Sequence, residues 1–345
     1  MYKTNLYKKG VVPMKARGIG LRDPRTARRI SGVAAAILVI GCAANPAKAG
    51  LVFNVKYDAS VAGAPAGFTT AFNNAIQYIE SKFSDPITIN MNVGWGEING
   101  NNLSPGLLGQ SLTNQQGFYS YAQMKTALTN DATTSTDATA VANLPSADPY
   151  GGTKFVMSNA EAKALGLLAG NSTGVDGYVG FNKNASYTFD PNNRGVSGKY
   201  DFIGLAEHEI TEVMGRYGLG QNGASSGRYS PIDLFRYLSP GTLDLNPANG
   251  AYFSIDGGKT AINTYNGTGG GDLSDWKGTT HDAFNASVTS GVLNPFSAGD
   301  LKLMDAIGYD LVSVPEPASL TLMTSGLALG LGIGIRRQRR RANVA

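Results

Sequence analysis

The chain has 345 residues, and its formal charge of +4 and sequence pI of 8.9 describe a basic protein only until the two ends are set aside. Residues 50–313 hold fourteen Lys and Arg against twenty-three Asp and Glu, a net of −9, which removes the electrostatic warrant for nucleic-acid binding. The sole cysteine, Cys42, precedes this body, so disulfides cannot brace it and stability must come from its core or from a bound metal.

Residues 1–29 carry nine Lys or Arg against one acid, Asp23, and an apolar run from Ile30 to Gly41 follows. Ala47-Lys48-Ala49 then offers the small-x-small pattern of a signal-peptidase site. The apolar run is shorter than the ~20 residues a bilayer span needs, so residues 1–49 read as a signal peptide, with Met14 as an alternative start. Two export readings stand: cleavage after Ala49, or a lipoprotein box at Val39-Ile40-Gly41-Cys42. Arg28-Arg29 reads as part of an ordinary basic region rather than a twin-arginine signal.

In the body, Leu51–Tyr57 and Ile87–Trp95 alternate as strands do. Between them Phe68, Phe72, Ile76 and Ile79 repeat at helical spacing, which predicts a helix within 65–83. The Asn-, Gly- and Gln-rich stretch 96–120 reads as a long loop, and 130–142 as an exposed excursion after a short helix at Tyr121–Leu128. Strands at Thr153–Met157 and Gly177–Phe181 flank a helix at Ala160–Leu168. Asp201–Arg216 is the strongest helix. Short ordered pieces at Asp233–Tyr237 and Tyr252–Ile255 lie among loops, and Ser297 caps a last helix at Ala298–Ile307. This order predicts a single α+β domain over 50–313.

The chemistry concentrates in His208-Glu209-Ile210-Thr211-Glu212-Val213-Met214-Gly215-Arg216. On a helix His208 and Glu212 share a face at i and i+4, so both can bind one ion. Glu209 sits where a base for a metal-activated water is needed. The pattern His-Glu-x-x-Glu-x-x-Gly is that of the zincin helix with a carboxylate in place of its second histidine, and Gly215 allows a left-handed exit. Zn²⁺ is the expected ion. The position of a third histidine in metzincins is Gly218 here, so the third ligand must come from elsewhere. Asp233 is the leading candidate, with an N-cap or an arginine partner as its other reading; His281 is the second candidate. Asp190, Asp256, Asp272 and Asp275 lie in Gly/Asn-rich loops that suit either structural Ca²⁺ or Asx turns.

At the C-terminus Val314-Pro315-Glu316-Pro317 precedes an apolar stretch, 318–335, closed by five arginines. At ~1.5 Å per residue these eighteen residues are just long enough for a transmembrane helix, with the arginines on the cytoplasmic side. This tail, 314–345, resembles the PEP-CTERM sorting signal of Gram-negative bacteria. The body resembles a group of PEP-CTERM-associated metalloproteases through HEITEVMGR at 208–216, DLFRY at 233–237, YFSIDGG at 252–258 and GDLSDW at 271–276. The resemblance implies a zincin-like domain with a mixed sheet and an active-site helix. It also implies processing by signal peptidase and an exosortase-type enzyme, and a periplasmic, surface or secreted location with transient membrane anchoring. A peptide or protein substrate would be cleaved by metal-activated water, with Glu209 as base. The alternative is a non-catalytic, cation-binding surface or matrix protein.

Overall fold

β1 (Val52–Tyr57), α1 (Phe68–Glu80) and β2 (Thr88–Trp95) open the body much as the periodicities predict. β1 and β2 pair in parallel, Val52 against Thr88 through Tyr57 against Val93. Parallel neighbours need a crossover, and α1 supplies it, burying Phe68, Phe72, Ile76 and Ile79. This computed structural model describes residues 50–218, 227–245, 250–267, 271–278 and 280–312. The signal peptide expected at 1–49 with Cys42, the sorting tail expected at 314–345 and its apolar span at 318–335 lie outside the described residues. Among the described residues no helix is long and apolar enough to cross a membrane.

The stretch expected to be a loop is instead largely strand. A hairpin of β3 (Glu97–Ile98) and β4 (Asn101–Asn102) is followed by β5 (Gly109–Thr113) and β6 (Gln115–Tyr119). The sequences Gly-Gln-Ser-Leu-Thr and Gln-Gln-Gly-Phe-Tyr lack apolar alternation because neither strand buries a whole face, which is the signal that periodicity reads. After α2 (Tyr121–Asp131), the expected excursion contains α3 (Ser135–Ala142), started by a Thr134/Asp137 capping box and burying Asp137 and Ala140. β7 (Lys154–Ser158) leads into α4 (Asn159–Ala164). This helix stops short of the predicted Leu168, and Gly166 beyond it takes φ +67°.

β8 (Gly177–Phe181) completes the main sheet, whose order is β1-β2-β8-β5. β8 runs parallel to β2, whereas β5 pairs antiparallel to β8, Gly109 against Phe181 and Thr113 against Gly177. β5 is therefore the edge strand. The short parallel pair β9 (Tyr187–Thr188) and β10 (Tyr200–Asp201) delivers the chain to α5 (Phe202–Val213). β11 (Arg228–Tyr229) joins β7 and β6 in a second sheet. A 3-10 turn at Pro231–Phe235 precedes a third sheet. It contains β12 (Arg236–Ser239), β13 (Thr242–Leu243), β14 (Tyr252–Phe253) and β15 (Asn263–Thr264). α6 (Ala298–Ala306) follows Ser297, whose side chain accepts from the Asp300 N–H, as expected. The fold is α+β.

What positions the site is the seat of α5. Asp201 caps it, accepting from the Gly204 N–H. Phe202 locks its first turn among Phe181, Phe189 and Phe68, with ring centroids 4.8, 4.9 and 5.1 Å away. Each fully buried aromatic contributes about 1.5–3 kcal/mol. At the other end Val213 lies over Gly177 of β8, where a Cβ would collide with it. The helix is thus pinned at both ends, packed against β5 and β8.

Candidate metal centre

Of the α5 residues, His208 alone is not fully buried, because its face opens onto a cavity of about 720 Å³. Gly106–Thr113, Leu205, His208, Glu209, Glu212, Asp272 and Asp275 are among its lining residues. The i, i+4 pair forms as the sequence predicts, with His208 Nε2 3.4 Å from Glu212 Oε1. Asp275 Oδ2 comes to 3.7 Å from the same nitrogen. One donor atom from each of His208, Glu212 and Asp275 lies within 4.8 Å of the others, and this trio could hold a metal ion.

Each of these side chains has one polar atom tied to the protein and another facing the group. His208 Nδ1 lies 2.8 Å from the Ala283 carbonyl oxygen, a bond that takes the Nδ1 proton and makes Nε2 the atom that would ligate once a cation displaces its proton. The Ser111 hydroxyl of β5 donates to Glu212 Oε2 at 2.6 Å, and Oε1, 3.5 Å from Arg216 Nη2, faces His208. Arg216 Nη1 donates to Asp275 Oδ1, leaving Oδ2. Neutral imidazole nitrogen plus two oriented carboxylates is a donor set suited to a divalent cation, so the residues present fit one.

The charges bear this out. Burial and Arg216 pull the His208 pKa down, but Asp275 and Glu212 outweigh them and raise it to about 9. Burial would raise Glu212, yet the bond from His208 and the charges of His208 and Arg216 hold it below the usual carboxylate range. The site therefore attracts a positive species at Nε2. Glu209, also buried on the cavity wall, is pushed well above the ordinary range by burial and by the Glu212 charge. Gly109 of β5 makes room for it, since a Cβ there would fall on Glu209 Oε1.

The structure does not bring Asp233 into this group. Its carboxylate accepts from the Ser230 N–H at 2.8 Å and the Ser230 hydroxyl at 3.1 Å, at the start of the 3-10 turn. Asp233 therefore serves the turn, and it is Asp275 that lies with His208 and Glu212 in the group that could hold an ion. His281 is exposed and does not join the trio. Of the loop acids read as calcium ligands or Asx turns, Asp190 accepts from the Asn192 N–H and Asp256 from Ser254 and Thr260, as turn residues do. Asp272 lines the cavity, where burial and then the charges of Glu212 and Asp275 push its pKa to about 7. Among the described residues no trio other than His208, Glu212 and Asp275 meets the metal-holding geometry.

The sequence offers Asp275 as a calcium-type loop acid or Asx turn in Gly-Asp-Leu-Ser-Asp-Trp, not as a partner of His208. In the structure its neighbour Trp276 is buried against Tyr265 at 5.0 Å and Phe253 at 5.9 Å, which ties the loop to the core. Comparison with family profiles, curated proteins and solved structures found no match to this chain.

Proposed function

We propose that this chain is an exported, metal-dependent hydrolase of peptide bonds, with His208, Glu212 and Asp275 as ligands, Zn²⁺ as the ion and Glu209 as the general base. The observation that carries the reading is the convergence of the three donor atoms beside Glu209 on the wall of a cavity bordered by an edge strand. The ion would supply Lewis acidity, polarising a carbonyl and acidifying a water. Glu209 takes the proton of the attacking water on its carboxylate and passes it to the departing amine. Burial and the Glu212 charge raise the pKa of its carboxyl, and positive charge held by the trio would lower it toward the ionised form a base requires. β5 presents the backbone of an edge strand along the same cavity, which suits an extended peptide that adds alongside it.

The export part of the proposal rests on the sequence of the two ends, the leader 1–49 and the Val-Pro-Glu-Pro tail from 314. It brings signal peptidase, an exosortase-type enzyme and the membrane as partners. The decisive variant is Glu209→Gln, assayed for Zn²⁺ binding and for cleavage of an internally quenched peptide library. Unchanged metal with hydrolysis lowered by about 10²–10⁴-fold supports the reading. Cleavage equal to the parent's, or absent from both, leaves a cation-binding surface protein as the better description.

A further inference from the structure

Arg216 closes the HEITEVMGR segment, and its side chain is completely buried beside the ligands. By charge alone a guanidinium next to a cation site weakens cation binding. The geometry argues for the opposite effect. Arg216 Nε donates to the Thr211 hydroxyl at 3.1 Å and Nη2 to the His208 carbonyl at 3.3 Å, both on α5. Its guanidinium carbon also lies over the Phe284 ring, 4.3 Å from the ring centre. The fork is therefore fixed to the helix that carries His208 and Glu212, where Nη2 also lies 3.5 Å from Glu212 Oε1, and Nη1 reaches across to Asp275 Oδ1.

We propose that Arg216 is the positioning residue of the metal centre, holding Asp275 by one oxygen so that the other faces His208 and Glu212; this rests on the metal reading above. Asp275 is the one member of the trio that α5 does not carry. It sits on a loop whose backbone a second buried arginine, Arg236, holds through the Leu273 carbonyl at 2.8 Å. Arg236 fixes where the loop lies, and Arg216 fixes which way the carboxylate turns. An outer partner of a ligating carboxylate is worth roughly 10–100-fold in metal affinity. A planar fork anchored at three points supplies orientation that a lysine's single ammonium does not.

The test is a double-mutant cycle on the purified protein, with Zn²⁺ affinity read by competition against a chromogenic chelator. Arg216→Met is expected to weaken Zn²⁺ roughly 10–100-fold, and Arg216→Lys, which keeps the charge and loses the fork, by roughly tenfold. In an Asp275→Asn background, Arg216→Lys is expected to cost clearly less than in the parent, because most of its effect passes through that carboxylate and only the longer contact to Glu212 remains. Should Arg216→Met fail to fold, the lysine arm of the cycle decides. Unchanged or tighter binding in the folded Arg216 variants overturns the proposal, as do losses that add to that of Asp275→Asn. Failure of the parent protein to take up Zn²⁺ overturns the metal-centre reading itself, a result that the affinity ratios cannot mimic.

Discussion

At the cleft, Glu212 and Asp275 share their surroundings with an imidazole and a buried guanidinium. In a second region Asp85, Asp137, Asp305 and Asp310 are just as buried, with Asp131 beside them, but their hydrogen bonds come from neutral donors. The Thr134 hydroxyl donates to Asp305 at 2.8 Å, the Thr133 and Thr134 amides donate to Asp137, and the Asp310 amide donates to Asp85 at 3.0 Å. Thr133 also donates to Asp310. The consequence appears in their acidity. Burial first, then mutual repulsion, lifts Asp131 to about 8 and Asp305 to about 6. Burial, with the charges of Asp310 and Asp305, brings Asp85 to about 7. The first region keeps a carboxylate ionised and aims it; in the second, burial and repulsion raise Asp131, Asp85 and Asp305 toward the protonated form. A cluster of acids is thus no site by number alone. What separates the two is fixed positive charge and a shared point of aim.

The largest way to break that contrast is steric. Gly109 leaves the space that Glu209 occupies, so Gly109→Ala should drive the Glu209 carboxyl from its place. Peptide hydrolysis is expected to fall by about 10²-fold or more, with Zn²⁺ affinity unchanged. Wild-type turnover in that variant would mean that Glu209 need not stand where it does.

The acid-rich second region predicts a pH dependence whose sign follows from its raised values. Carboxyls that titrate higher in the fold than in the unfolded chain bind more protons in the fold between those two pKa values. Stability therefore declines as pH rises from about 4 to about 8. Glu209, raised for similar reasons, acts in the same direction. The metal-free protein should melt more than about 3 °C higher at pH 5 than at pH 8, as read by circular dichroism. A higher melting temperature at pH 8 would contradict the protonated cluster. The smallest expected effect sharpens the same point: Asp131→Asn removes one repelling charge and should raise the pH 8 melting temperature by a few degrees or less, roughly, narrowing the gap between the two pH values.

The amphipathic elements were legible in the sequence because burial writes itself as periodicity: α1 and α5 were found within a few residues, and so was the i, i+4 pair of His208 and Glu212. β5 was not, because an edge strand that borders a cavity is polar and glycine-bearing, and those are also the marks of a loop. α3 was missed for a related reason, since a helix of Ser, Thr, Asp and Ala has too little apolar contrast to show a face. The choice of third acid failed differently, since the structure gathers Asp275 and not Asp233 with His208 and Glu212. Asp233 and Asp275 are both acids close to an arginine in sequence or space, and local sequence cannot say which one a long chain excursion returns to α5. Burial of Trp276 and the two arginines decides it, and all three act across the fold.

The central claim is that Asp275 completes the centre and Asp233 does not. It is tested most directly by Zn²⁺ affinity in Asp275→Asn and Asp233→Asn side by side with the parent protein. The account predicts a loss of at least roughly 100-fold for Asp275→Asn, since removing a ligand costs more than removing a ligand's partner. For Asp233→Asn it predicts parental affinity, with a stability loss of about 1–3 kcal/mol from its cap. Zn²⁺ binding abolished by Asp233→Asn and untouched by Asp275→Asn would contradict it.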